Sequence, residues 1–307
     1  MTTGNVTSTE DDTDLRLLFV PTGSGGDQLC LRMFTPTDPG TPAHDAPVLV
    51  VLPAMGITAS YYDPLARGLC RAGFPVVVGD LRGHGGSTPA ISRDSRFGQQ
   101  EMVAEDIPAV VSAARRGFPG RPVVLLGHSL GGQLAVAYLR RPEADVEGLV
   151  LIASGTPHFR VYPRLRGLRV LLGTQVAALL GRCWGYFPGD RIGFAGRESA
   201  RVIRDWARFA RTGRFRPAGA DVDYEREMST PDIPVLVVSV EGDVMHTAEA
   251  MAALTAKLGR TRVRTLRYTA ADAGRRLDRY RWVRTYGPLP AWLTDWWRDA
   301  TAERRSS

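Results

Sequence analysis

Ser129 stands in the run Leu126-Gly127-His128-Ser129-Leu130-Gly131-Gly132. Glycine two places before and two places after the serine leaves room for a sharp strand-to-helix turn. Such a turn lifts a hydroxyl over a sheet edge, toward a helix amino terminus whose N–H groups can stabilise an oxyanion. A hydroxyl is a poor nucleophile without a base, and the base needs a carboxylate to orient it. Asp243, in Glu241-Gly242-Asp243-Val244-Met245-His246, is the candidate carboxylate, with Glu241 as the runner-up. The five histidines are His44, His84, His128, His158 and His246. His246 alone keeps the chain order serine, acid, histidine, so it is the candidate base. His158 is a lesser one. His128 reads as packing, and His84 as part of a structural loop.

The elements that must position these groups follow from hydrophobic patterning. Leu15–Val20 and Leu29–Thr35 read as opening strands separated by the turn-forming Gly23-Ser24-Gly25-Gly26. Gly148–Ala153, Val235–Val240 and Val263–Tyr268 read as strands, and Val48–Leu52, Val76–Val78 and Val123–Leu126 are continuous apolar runs of strand length. Strands covered on both faces look like this. Helical patterns fill the gaps at about Ser60–Ala72, Glu101–Arg116, Leu130–Arg141, Ala248–Leu258 and Pro288–Ala300. Alternation of this kind predicts a mostly parallel sheet with helices on both faces.

The order breaks between Gly155 and Pro231, where no run resembles a strand and Leu165–Leu180 and Glu198–Thr212 resemble helices. The segment is rich in aromatics, including Phe159, Tyr162, Trp184, Phe194 and Trp206, so it is expected to be ordered. A helical insertion after the sixth strand, together with the serine turn after the fifth, predicts an α/β-hydrolase fold. Its expected organisation is a flexible leader over 1–14, a core of 15–154 and 231–303, an eight-stranded mostly parallel sheet, and a helical lid over 155–230. The loop Pro53-Ala54-Met55-Gly56-Ile57 then supplies the second oxyanion donor, the Met55 N–H, beside that of Leu130. Asp80-Leu81-Arg82-Gly83-His84-Gly85-Gly86-Ser87 is expected to act structurally. The fold also calls for a base histidine beyond Tyr268, and the sequence has none.

Composition narrows the partners. The chain has 307 residues, 44% hydrophobic and 23% charged, with a formal net charge of +7. Lys257 is its only lysine. The arginines are dispersed, with mild clusters at Arg160–Arg169 and Arg260–Arg284, and no nucleic-acid motif accompanies them. No apolar run approaches the ~20 residues that span a bilayer. Neither nucleic acid nor a membrane is therefore expected as a partner, and a cytoplasmic location is expected. Cys30, Cys70 and Cys183 lack metal-ligand spacing. No metal or organic cofactor is implied.

The α/β-hydrolase superfamily contains a group of bacterial predicted hydrolases that this chain resembles more specifically. The resemblance rests on Pro53-Ala54-Met55-Gly56 followed by Tyr61-Tyr62, on Gly185-Tyr186-Phe187-Pro188-Gly189-Asp190-Arg191-Ile192-Gly193, and on Asp205-Trp206-Ala207-Arg208-Phe209. It extends from about Val48 to Trp297. It implies nucleophile and acid roles for Ser129 and Asp243, and places Tyr186 and Phe187 in a lid segment where they would bind substrate. That group carries its base in a Gly-His-Phe-Gly-Phe-Phe-Arg type segment before the last helix. The matching stretch here is Asp278-Arg279-Tyr280-Arg281-Trp282-Val283-Arg284, with Arg279 where the histidine would be. A guanidinium stays charged and cannot be a general base, but it can bind a carboxylate or enolate oxygen.

Three readings follow. The first is ester or thioester hydrolysis, or acyl transfer, by Ser129 with His246 as a displaced base. It would act on a small or medium, partly apolar substrate, either a free small molecule or a carrier-bound acyl group, with homodimerisation open. The second is non-hydrolytic biosynthetic chemistry in the same pocket: elimination, cyclisation or isomerisation. The third is a catalytically inactive binding protein.

Overall fold

The computed structural model describes residues 8–9, 13–23, 25–37, 46–194, 196–226, 232–259 and 261–306. The core is one sheet. Its main strands are β1 (Thr13–Thr22), β2 (Asp27–Pro36), β3 (Val48–Leu52), β4 (Val76–Gly79), β5 (Val123–His128), β6 (Gly148–Ile152), β7 (Val235–Val240) and β8 (Val263–Tyr268). They lie in the order β1-β2-β4-β3-β5-β6-β7-β8, and the two-residue ribbon Ser8–Thr9 pairs with the outer edge of β1. The strands β3 to β8 pair in parallel; β2 runs antiparallel to β1 and to β4. This is the α/β-hydrolase fold.

The inner strands are apolar on both faces because helices cover both. Val50, Leu125, Leu149 and Val237 pack on one side with α2 (Ile107–Gly117), α3 (Leu130–Tyr138) and α6 (Ala248–Thr255). Their neighbours Val51, Leu126, Val150 and Val238 pack on the other with α1 (Asp63–Arg71) and α7 (Leu289–Ser306). That alternation is the two-residue period of a strand. The predicted helix near Glu101–Arg116 starts earlier, at Gln99, and passes through a π turn at Met102–Asp106 before α2.

The insertion after β6 holds the lid helix α4 (Arg164–Trp184) and α5 (Ala200–Thr212). It differs from expectation in one respect. Tyr186–Pro188 and Arg197–Ser199 form an antiparallel two-stranded ribbon, so the second lid helix begins at Ala200 rather than Glu198. Strands of three residues carry no readable period. Ser199 stops the helix from starting earlier, because its side chain accepts the Arg201 N–H as an N-cap.

The leader expected over 1–14 lies mostly outside the described residues, and Thr13 and Asp14 already belong to β1. The expected lid boundary at 230 also lies outside them. Among the described residues no helix is long and apolar enough to cross a membrane, and no group of three or more metal-ligating side chains gathers.

Candidate active site

Ser129 joins β5 to α3 at φ 53° and ψ −113°. Positive φ is rare for a residue with a side chain and costs on the order of 1–3 kcal/mol. Close packing holds the strain in place. A Cβ on Gly127 would overlap the Gly132 backbone, one on Gly131 the Leu52 carbonyl, and one on Gly132 the Ser154 side chain. The Ser154 hydroxyl sits 3.1 Å from the Gly127 carbonyl and 3.2 Å from that of Ser129, bracing the turn from beneath.

The loop after β3 makes a tight turn closed by the Ile57 N–H on the Ala54 carbonyl at 3.1 Å, with Gly56 at φ 71°. Glycine takes the left-handed conformation freely there. The turn brings Met55 beside Leu130 on the wall of the cavity that holds Ser129. Among the described residues neither the Met55 nor the Leu130 N–H is committed to a hydrogen bond. Two free donors flanking a nucleophile are what an oxyanion hole requires.

Asp243 and His246 share the loop after β7. The His246 Nδ1 lies 3.0 Å from Asp243 Oδ2, and Asp243 Oδ1 accepts the N–H groups of Met245 at 2.7 Å and His246 at 3.0 Å. The two side chains are 1% and 5% exposed. Burial alone would raise the Asp243 carboxyl, but the His246 ring and the two backbone donors outweigh it and hold the carboxyl below its ordinary value. An ionised carboxylate only accepts, so His246 Nδ1 is the donor of this pair and Nε2 is the ring nitrogen left free of it. His246 lines the same cavity as Ser129. Glu241 is turned elsewhere, accepting the Ala270 N–H at 2.9 Å.

Arg279 also enters this cavity. Its guanidinium contacts the Met245 sulfur and the Tyr280 hydroxyl, and stacks 4.5 Å from the Tyr280 ring centroid. Among the described residues no carboxylate pairs with it. The Tyr162 hydroxyl reaches from the lid to the Met245 carbonyl at 2.7 Å and so steadies the loop that carries His246. As it stands the cavity has a volume of about 20 Å³. That suits roughly one water molecule. An ester reaches Ser129 only when the lining side chains shift.

A second, larger cavity of about 330 Å³ runs beneath α4 and shares Val170, Phe194, Trp206 and Met245 with the first. Phe187 lines this groove. Tyr186 lines neither cavity and packs instead under Arg197, whose guanidinium lies 5.0 Å from its ring centroid. Sequence reasoning missed Gln133, Met245 and Tyr280 as wall residues. Gln133 falls one helical turn after Ser129, which is the only signal that points to it.

The remaining histidines among the described residues have other work, and His44 lies outside them. His128 is fully buried; its Nδ1 lies 2.7 Å from the Tyr62 hydroxyl, which accepts the Ala54 N–H at 2.9 Å. Burial, aided by Arg279 and His246, depresses its pKa to about 3, so it is a neutral packing residue. His84 packs in the loop after β4, 3.5 Å from the buried Glu198 of the lid. His158 lies outside the cavity that holds Ser129, its ring edge-on to Phe159. Asp80 accepts the Ala59 and Gly86 N–H groups, and Arg82 pairs with Asp27, Glu105 and Asp106, so that loop is structural.

This fold and site define an α/β hydrolase. Residues 43–198, about half of the chain, match the family described as serine aminopeptidase, S33, and the chain belongs to that family. It is similar to the human monoglyceride lipase, 32% identical over 128 residues that cover 42% of this chain and 40% of the lipase. The monoacylglycerol lipase of Mycolicibacterium smegmatis is 31% identical over 156 residues, covering 49% of this chain and 51% of that protein. The chain thus matches about half or less of the length of these relatives. Among solved structures, DcsB in complex with its substrate analogue aligns with a TM-score of 0.62 at 15% identity, over 94% of this chain and 99% of that one. Est1E from Butyrivibrio proteoclasticus with bound ferulic acid aligns at 0.61 and 13% identity, over 93% of this chain and 99% of that one. The family match supports an enzyme of hydrolase type.

Proposed function

We propose that this chain is a serine esterase or thioesterase, or an acyl transferase, whose base is His246 in place of a histidine near residue 279. Ser129 attacks the acyl carbonyl while His246 Nε2 takes its proton. Asp243 holds the imidazole and balances the imidazolium that forms. The Met55 and Leu130 N–H groups receive the oxyanion. The observation that carries this reading is the His246–Asp243 pair at 3.0 Å, with the ring on the wall of the cavity containing Ser129. The groove beneath α4 supports a partly apolar acyl or alcohol group. Phe187 and Trp206 line it, and Arg279 is a cation placed to meet an anionic group of the substrate. Homodimerisation plays no part in this reading.

A fluorophosphonate probe tests it. Intact mass should show one adduct, lost in Ser129→Ala and slowed in His246→Ala, with Arg279→Ala still labelled. A second reading rests on Arg279, whose guanidinium has no carboxylate partner among the described residues: non-hydrolytic chemistry in which that cation stabilises an enolate. It predicts no adduct, and turnover that survives Ser129→Ala but not Arg279→Ala. An absence of both labelling and turnover would leave a binding protein.

A further inference from the structure

The lid helix α4 turns an apolar stripe outward. Leu165, Leu168, Leu172, Val176 and Leu179 are 50–77% exposed. At about 100° per residue they fall within about 40° of one line on the helix, and the stripe is about 21 Å long. Val170, Thr174, Ala177 and Gly181 occupy the opposite, inward side. Arg164 and Arg182 flank the stripe on one side and Arg169 on the other. None of these three is in an ion pair among the described residues, and α4 contains no acidic residue.

Large exposed apolar patches mark interaction sites, and the charge selects the occupant. A second copy of this helix packed across a two-fold axis would bring arginines against arginines with no carboxylate to offset them. An anionic amphiphile surface supplies both what the stripe and what the arginines lack. Arginine beside an apolar face is the composition of a helix that lies in the plane of a lipid interface. The groove beneath α4 begins among residues of this same helix, including Arg169 and Val176, and meets the catalytic cavity at Val170 and Met245. We propose that α4 docks on an anionic lipid surface and that the groove leads from that surface to Ser129. The absence of a long apolar run, which argues against a membrane partner in the sequence, excludes only a helix that spans the bilayer. A helix lying in the interface needs a stripe.

The test uses the full chain and vesicles of phosphatidylcholine with and without phosphatidylglycerol. Cys183 is exposed while Cys30 and Cys70 are buried, and it falls close to the stripe, so a polarity-sensitive dye attached there reports contact. The protein should sediment with the anionic vesicles at low salt, and the dye emission should shift to shorter wavelength. Arg164→Gln, Arg169→Gln and Arg182→Gln should each weaken binding roughly five-fold, and added salt should weaken it further. Leu168→Asp with Leu172→Asp should abolish binding while leaving fluorophosphonate labelling of Ser129 unchanged. That readout separates failure of docking from failure of the proposed catalysis. The proposal is overturned if the unaltered chain ignores anionic vesicles, if the variants bind equally well, or if sedimentation equilibrium shows a dimer that the leucine variants dissociate.

Discussion

The proposed role of His246 as base rests on the carboxylate that fixes its ring. Asp243 is buried, ionised and bonded to Nδ1, which leaves Nε2 as the nitrogen available to Ser129 in the proposed mechanism. His246→Ala should therefore lower the rate of fluorophosphonate labelling by roughly a thousand-fold or more, while circular dichroism stays unchanged. His128, one residue before the nucleophile, behaves in the opposite way. Its folded pKa of about 3 lies well below the ordinary imidazole value of 6.5. The unfolded chain takes up a proton below about pH 6.5 that the folded chain refuses, so stability falls as pH drops through that window. The contribution at about pH 5 amounts to a loss of about 2 kcal/mol. His128→Gln should remove that part of the pH dependence, as measured by urea unfolding of both proteins at the two pH values. A slope identical to the parent's would contradict the buried neutral imidazole.

The turn between β5 and α3 is a strained element, and its strain is measurable. Ser129→Ala keeps the side chain's steric conflict at positive φ, whereas Ser129→Gly removes it. The glycine variant should unfold at higher denaturant than the alanine variant, by about 1 kcal/mol. Gly131→Ala should act the other way, because its methyl group meets the Leu52 carbonyl. A loss of about 1–3 kcal/mol is expected, together with loss of labelling as the turn and the β3 loop are forced apart. The elements themselves were mostly legible. β3 and β7 span the residues that their apolar runs predict, because a strand buried on both faces has few polar positions to blur its ends. The lid ribbon was not legible, since its pairing depends on partners about ten residues apart rather than on local pattern.

At the scale of the molecule, lid and core together make a narrow catalytic cavity and a wider groove. Gly173 lines the groove, and a Cβ there would meet nothing within 4 Å. Gly173→Phe should therefore obstruct the groove without disturbing the fold. The helix should gain up to about 1 kcal/mol from losing a glycine. If the groove receives an apolar chain, kcat/KM for long-chain esters should fall at least about ten-fold, a loss of about 1.4 kcal/mol, while acetate esters are unaffected. Equal effects on both would show that the groove is not a substrate path.

The sequence by itself determined the fold class, the position of the serine turn and the absence of a histidine beyond β8. These are written in local patterns: apolar runs, flanking glycines and residue order. It also named Asp243, His246, Met55 and Leu130, but only as candidates, because nothing local brings residue 246 to residue 129. The parallel pairing of β6 with both β5 and β7 does that, setting the loops after those strands side by side at one edge of the sheet. The same packing brings Arg279 into the catalytic cavity and leaves Tyr186 out of it. The physical reason is common to all of these: local sequence fixes which element forms, whereas the direction a side chain faces depends on what the element packs against.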